Sequence, residues 1–346
     1  VPATGNPFGP GDTFSPDLEM KTVREGQPHV VILGSGVSRA ACPNGDANGQ
    51  VLPLMKDLTD LVGLTPILKA HGVSSDGEDF EAIYSRLAEQ PQFTTCCKEL
   101  EERVHAYFSS LRLPACPTIY DHLVLSLRPR DVIATFNWDP LLVQAALRND
   151  AHVALPRLLF LHGNVAVGYC ERDKLKGPFP GRCPKCHAPF QTTQLLYPVK
   201  QKNYPKRPFI WDEWQDLRDA MKEACILTIF GFGAPVTDVE AVELMRTTWP
   251  APQKQMAQWV ELINETPRDE LLKQWDLFIL SHHADTTTDF YESRIARHPR
   301  RTGEAWAATH LFAMWEDGHP LPKDVGFHEL WAWFDEIRKH EDGTNE

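Results

Sequence analysis

The sequence predicts a doubly wound parallel α/β sheet with a helical insertion and a small cysteine-bearing module. Three observations predict it. Five short apolar runs, at 29–33, 131–135, 157–161, 225–230 and 276–280, alternate with amphipathic helical patterns, as expected of parallel strands covered on both faces. The first four of these runs exit into glycine, asparagine or histidine turns, at the carboxyl ends where such sheets bind ligands. One polar stretch, Val165 to Tyr204, rich in Pro, Gly, Lys and Cys, breaks the alternation and reads as an inserted module.

Composition narrows the class. The 346 residues, 42% hydrophobic and 24% charged, exclude a mainly disordered chain and suggest about two domains. A net charge of −12 argues against a general nucleic-acid or anionic-membrane binder, although a local basic groove stays open. No run of 18 uncharged apolar residues is present to span a bilayer. Residues 1–27 read as an irregular arm without a basic-then-apolar signal pattern, and the initial Val in place of Met points to a trimmed or processed start. Eight cysteines are too few for a disulfide scaffold, so a reducing, cytoplasmic setting with thiols or metal ligands is expected.

The elements follow in order. His29 to Leu33 is a buried strand ending in Gly34-Ser35-Gly36. Val37 to Ala41 starts a helix that the polar loop from Pro43 to Gly49 breaks, and Leu52 to Leu64 reads as the next helix, with Pro53 near its start. Phe80, Ile83, Tyr84 and Leu87 share one helical face, as do Leu100, Val104, Tyr107, Phe108 and Leu111. A further helix spans about Ile119 to Leu127, followed by a strand at Asp131 to Thr135 and a helix opening at Leu141. After the strand Arg157 to Leu161 and the module come a helix at Trp211 to Lys222 and a strand at Cys225 to Phe230. A helix at Val239 to Thr247, capped by Thr237 or Asp238, a strand at Asp276 to Leu280 and a closing helix at Phe327 to Arg338 complete the series. The expected organisation is an arm at 1–27, an α/β domain at 28–285 with a helical insertion at about 65–128 and the module at about 165–204, and a helical extension at 286–346.

The strand-exit motifs carry the chemistry. Gly34-Ser-Gly-Val-Ser38-Arg39 suits backbone approach to a pyrophosphate, but Arg39 replaces the third glycine of G-x-G-x-x-G and no ribose-binding acid follows. The same turn fits a ligand-free strand–helix link. Asn137, in Thr135-Phe-Asn137-Trp-Asp139, can orient a sugar hydroxyl or a water, or with Asp139 can satisfy the turn itself. His162, before Gly163, is placed to act as a general base, or simply as a hydrogen-bonded buried histidine. Cys183-Pro-Lys-Cys186 is a zinc half-site, and Cys170-Glu-Arg-Asp173 supplies a second half, with His187 competing with Asp173 as fourth ligand. The paired tryptophans 211/214 and 331/333 fit packing better than base stacking, and His282-His283-Ala-Asp285 fits a loop better than a metal site.

In order, Gly34-Ser-Gly-Val-Ser38, Thr135-Phe-Asn137-Trp-Asp139, His162-Gly163, Cys183-x-x-Cys186 and Gly231-Phe-Gly233 resemble the motif series of the SIR2 (sirtuin-like) superfamily over about residues 28 to 285. The resemblance implies a Rossmann-like NAD-binding domain. By it Gly34, Ser35, Gly36 and Ser38 line the phosphate site, and Asn137 and Asp139 lie near the nicotinamide ribose. His162 is the catalytic base, and Gly231 and Gly233 approach the adenosine side. Cys42 to Leu54 departs from the G-I-P-D-F-R-like segment that sirtuin deacetylases carry after the glycine turn, and Leu195 to Asn203 stands in place of their V-V-x-F-G-E-like strand that pairs with the acetyl-lysine peptide. The chain is therefore nearer the divergent SIR2-like proteins that resemble bacterial NAD hydrolases, many linked to anti-phage defence. The implied activity is NAD hydrolysis, with Cys170, Asp173, Cys183 and Cys186 holding structural zinc. An NAD-dependent deacylase and a non-catalytic NAD or ADP-ribose sensor are the alternatives. The expected partner is a nucleotide, with neither nucleic acid nor membrane, and homo-oligomerisation is left open.

Overall fold

The computed structural model describes residues 21, 23, 26–75, 77–198, 204–233, 239–249, 259–275, 284–314, 318–339 and 341. Nine strands are described: β1 (His29–Leu33), β2 (Val132–Thr135), β3 (Arg157–Phe160), β4 (Val167–Cys170), β5 (Leu175–Pro178), β6 (Gln191–Thr192), β7 (Ile226–Phe230), β8 (Trp259–Ile263) and β9 (Ala284–Thr287). The helices that bear on the site are α1 (Ser35–Ala41), α2 (Leu58–Leu61), α3 (Thr65–Ala70), α4 (Phe80–Ala88), α5 (Thr94–Ser110), α6 (Ile119–Leu125), α7 (Leu141–Asn149) and α8 (Pro208–Glu223). They are followed by α9 (Val239–Thr248), α10 (Arg268–Gln274), α11 (Arg294–Arg297), α12 (Thr302–Leu311) and α13 (Phe327–Arg338).

Six of the described strands form one parallel sheet in the order β3-β2-β1-β7-β8-β9. Helices cover both faces, so β1 and β7 are buried along their whole length and tolerate uninterrupted apolar sequence. The chain winds outward from β1 in both directions. The crevice between the exits of β1 and β7 is therefore the topological switch point of a Rossmann-like sheet.

The helical insertion forms as its spacing predicts. Phe80, Ile83, Tyr84 and Leu87 are the buried face of α4, whose first turn is capped by Asp79 accepting from the Ala82 amide at 2.9 Å. Leu100, Val104, Tyr107 and Phe108 are buried in α5. At α6, Thr118 and Asp121 form a reciprocal capping box. In α13, Leu330 and Phe334 reach the main core, and the Trp331 indole donates to Asn149 Oδ1 at 2.8 Å.

One local reading differs, and one strand went unread. The helix expected over Leu52 to Leu64 is confined to α2. Ahead of it Asp57 accepts from the Leu54 amide at 2.6 Å, while Arg39 binds Asp57 at 2.6 Å and the Leu52 carbonyl at 2.9 Å. These bonds hold 52–57 as an irregular wall instead of a helical turn. Strand β8 lacks a clean apolar signature because Glu261 sits at its centre. The strand read at 276–280 lies outside the described residues, as do the caps Thr237 and Asp238 and the histidines 282 and 283; among the described residues, β9 at 284–287 borders β8.

Strands β5-β4-β6 make a small antiparallel sheet, the body of the inserted module. It is fastened to the main sheet by Lys176, whose Nζ donates to Glu213 Oε1 and Oε2 at 2.6 Å and to the Leu158 carbonyl at 2.7 Å. Burial raises the Glu213 carboxyl above its ordinary range, with the Lys176 ammonium and the Phe160 amide opposing that shift. No described helix is long and apolar enough to cross a membrane.

Candidate functional site

The switch point opens into a cleft of about 650 Å³, within the size range of small-molecule sites. Gly34 to Gly36, Ser38, Asn137, Asp139, His162, Gly231 and Gly233 all border it, so the fold brings together residues that the sequence scatters over 200 positions.

The glycines have a reason that the sequence reading did not supply. Gly34 N donates to the Phe230 carbonyl at 2.9 Å and Gly36 N to the Gly231 carbonyl at 3.0 Å, so the turn after β1 lies directly on the turn after β7. A Cβ at Gly34 would stand 2.5 Å from the Gly231 oxygen, and one at Gly36 would stand 2.7 Å from the Gly231 Cα. Gly231 itself has φ +63, and its added Cβ would meet Val37 N at 2.4 Å. Chain packed against chain thus already demands glycine at these three positions. Gly233 has open space around its Cα.

Behind this turn lies a buried polar network. Asn137 Nδ2 donates to the Gly34 carbonyl at 2.9 Å, to Ser38 Oγ at 3.0 Å and to Tyr120 OH at 3.2 Å. Ser38 Oγ in turn donates to Asp139 Oδ2 at 2.6 Å and lies 2.7 Å from Tyr120 OH. Asp139 Oδ1 accepts from the Leu141 amide at 3.1 Å, starting α7. Burial raises the Asp139 carboxyl above its usual range, while the Ser38 and Leu141 hydrogen bonds oppose that. Burial likewise pushes the Tyr120 hydroxyl far up, so it stays protonated. The Asp139 side chain supports the turn. Asn137 lines the cleft with its amide nitrogen committed to the network, leaving its carbonyl oxygen as the acceptor a ligand can meet.

His162, 7% exposed, follows β3. Its Nε2 lies 3.0 Å from Tyr204 OH, and its ring meets Phe136 edge-on with centroids 4.8 Å apart. Phe136 stacks flat on Phe232 at 4.4 Å, giving the cleft an apolar wall from the exits of β2 and β7. Gly163, at φ +76, leaves no room for a side chain, since a Cβ would sit 2.3 Å from the Gln194 carbonyl.

Sequence reasoning missed Tyr120, Asn164 and Tyr204, which hold the predicted residues from distant positions. It also missed Asn264 and Glu265, which border the cleft at the exit of the unread strand β8. The recoverable signal was Asn164, directly after His162-Gly163; Tyr120 reads as one more apolar position in a helix.

The module gathers a second constellation. Cys170 ends β4, Asp173 lies in the following turn, and Cys183 and Cys186 flank the knuckle between β5 and β6. Their ligand atoms all lie within 4.8 Å of one another. Zinc about 2.3 Å from sulfur and about 2.0 Å from oxygen, in tetrahedral geometry, sets S···S near about 3.8 Å and S···O near about 3.5 Å. Here Cys170 and Cys186 sulfurs are 3.6 Å apart, and Asp173 Oδ2 is 3.6 Å from Cys170 and 3.3 Å from Cys183. The donor set therefore fits zinc. His187, exposed and at φ 59, is not one of the four.

No family model matches the sequence, and no curated protein matches it. Among solved structures, the chain is similar to a Sir2 homologue–NAD complex at 14% identity and a TM-score of 0.40, over 95% of this chain and 96% of that one. A structure described as the basis for mechanism and regulation of Sir2 enzymes aligns at 11% identity and TM-score 0.38, over 94% and 99%. A Sir2 bound to an acetylated peptide aligns at 14% and 0.34, over 75% and 90%. At these identities and TM-scores the likeness assigns no residue a role.

Proposed function

We propose that this chain is an NAD hydrolase that cleaves the nicotinamide–ribose bond to give nicotinamide and ADP-ribose. The observation that carries the reading is the convergence on one switch-point cleft of the exits of β1, β2, β3 and β7, bearing the paired glycine turns, Asn137 and His162.

The chemistry asks little of the protein beyond positioning. Cleavage of an N-glycosidic bond builds oxocarbenium character on the ribose, and nicotinamide departs neutral without an acid. What remains is to hold the ribose, limit bulk water and deliver one water molecule. In this reading Asn137 Oδ1 accepts a hydrogen bond from that water or from a ribose hydroxyl, and Asn137 is held for the task by Gly34, Ser38 and Tyr120. His162 takes the proton at a ring whose orientation Phe136 and Tyr204 fix. The Phe136–Phe232 stack offers a flat apolar surface to the departing ring. Bound zinc would close the module and supply no open coordination position, so it takes no part in bond cleavage.

Incubation with NAD alone tests the proposal. Nicotinamide release without any peptide is the expected result. Release only with an acyl-lysine peptide would make the chain a deacylase instead. Nucleotide binding without release would make it a sensor.

A further inference from the structure

Asn164 joins the two constellations. It is 1% exposed and every polar atom it carries is used. Its Nδ2 donates to the Asp139 carbonyl at 2.6 Å and to the Asn137 carbonyl at 3.3 Å, while Oδ1 accepts from the Ala166 amide at 2.9 Å. The next residue reinforces the grip, with Val165 N donating to the Trp138 carbonyl at 3.0 Å. The main chain from Asn137 to Asp139 is thus held on this side by residues 164 and 165.

The opposite end of Asn164 is tied to the module. Its amide donates to Thr193 Oγ1 at 3.0 Å, and Thr193 Oγ1 donates back to its carbonyl at 2.8 Å. Thr193 is the residue after β6, and β6 pairs with β4, which ends in Cys170. An unbroken path of short bonds therefore runs from a cysteine of the four-ligand cluster to the turn that bears Asn137. Other bonds cross the same seam, Leu196 N to the His162 carbonyl at 2.9 Å and Phe179 N to the Ala166 carbonyl at 2.8 Å, but neither reaches residues 137–139.

We propose that Asn164 is the positioning residue that couples the Asn137–Asp139 turn to the cysteine module, so that loss of the four-ligand cluster loosens that turn chiefly through its side chain, beside the single main-chain bond from Val165 to Trp138. A contiguous path is not by itself coupling; coupling is shown when two perturbations fail to add. Asn164→Asp is the informative change. It keeps the acceptor for Ala166 and the shape of the side chain, and when ionised it replaces the donor to residues 137 and 139 with a charged oxygen facing their carbonyls.

The test is a double-mutant cycle of Asn164→Asp and Cys183→Ser, read by amide hydrogen exchange of peptides covering 136–141 in the nucleotide-free protein. Cys183→Ser alone should speed exchange there about 10-fold, and Asn164→Asp alone should do likewise. The double variant should match the single variants instead of multiplying them. Thr193→Val, which breaks the same path at its module end, is the second way in and should mimic Cys183→Ser. Unchanged exchange at 136–141 in Cys183→Ser, or multiplied effects in the double variant, would overturn the proposal.

A kinetic arm rests on the hydrolase reading. There Asn164→Asp should lower kcat for nicotinamide release more than it raises KM, because the contact it disturbs is that of Asn137 with the water or ribose hydroxyl beside the reacting bond. If the parent protein releases no nicotinamide while the exchange cycle behaves as stated, the hydrolase reading fails and the coupling stands. If release is robust but the cycle is additive, the coupling fails alone.

Discussion

Replacing Gly231 with alanine should destabilise the protein by about 2–5 kcal/mol, from two separable causes. The residue sits at φ +63, a left-handed conformation that costs an L-residue about 1–2 kcal/mol. Its new Cβ would also lie 2.4 Å from Val37 N and 2.7 Å from the Gly36 carbonyl carbon. Both are backbone atoms at the start of α1 that cannot swing aside, and overpacking of this kind adds about 1–3 kcal/mol. Two other glycines separate the causes. Gly49 has φ +77 with nothing within 4 Å of its Cβ position, so Gly49→Ala should show the conformational cost alone, about 1–2 kcal/mol. Gly233 has neither a left-handed φ nor a neighbour, so Gly233→Ala should stay within about 0.5 kcal/mol of the parent. Urea unfolding of the four nucleotide-free proteins, followed by tryptophan fluorescence, measures the series. A Gly231→Ala variant as stable as the parent, or no less stable than Gly49→Ala, would refute the idea that contact between the two turns dictates glycine there.

Three further outcomes are expected. His162→Ala should lower nicotinamide release from NAD by about 10²-fold with the fold intact, and Asn137→Ala should act mainly on kcat; near-parental turnover would remove either residue from the mechanism. His29 is buried between Thr228 and Thr302, and burial, with Arg294 and Arg130, lowers its pKa from 6.5 to about 3. The folded state then binds fewer protons than the unfolded state in that window, so its contribution is present above 6.5 and lost as pH falls toward 3. His29→Gln should flatten the fall in stability between pH 6 and 4 by up to about 1.4 kcal/mol per pH unit, and an unchanged slope would show that the buried imidazole is not what titrates. Elemental analysis of the purified protein should find about one zinc per chain and Cys183→Ser should lose it while the parallel sheet persists; a metal-free parent with an ordered module would mean that packing alone holds the four side chains together.

How much the sequence disclosed depended on whether a residue's partner was near it in the chain. Strands β1, β2, β3 and β7 were legible within about a residue: β1, β2 and β7 are buried along their whole length, so their apolar runs are unbroken, and edge strand β3 keeps Leu158-Leu-Phe after an exposed Arg157. Strand β8 was not, because Glu261 interrupts Trp-Val-Glu-Leu-Ile. That carboxylate is 4% exposed and is held by the Arg294 amide at 2.7 Å and by Thr228 at 3.1 Å, partners no local pattern announces. Edge strand β9, Ala-Asp-Thr-Thr, has no apolar signal at all. The cysteine spacing picked out three members of the cluster that could hold a metal, whereas the placing of Asp173 among them, with His187 outside, needed the fold. At the cleft, the glycine, asparagine and histidine turns were visible since they close strands. Their reasons were not visible: the atoms that forbid a side chain at Gly34 belong to Gly231 and Phe232, and the amide that holds Asn137 and Asp139 belongs to Asn164.

The central position of β1 also governs how the chain comes into being. Its left neighbour, β2, ends at Thr135, and its right neighbour, β7, does not begin until Ile226. At about 5–20 residues per second, a ribosome takes roughly 5–18 s to travel between them. Throughout that interval a nascent chain that has already paired β1 with β2 presents His29-Val-Val-Ile-Leu33 with one row of amides and carbonyls open. This is the kind of apolar edge that recruits other strands. Fragments that stop before Ile226 would keep that edge for good. Polypeptides ending there should accumulate as aggregates or chaperone-bound species, whereas those extended through Ile263 carry the partner that closes it.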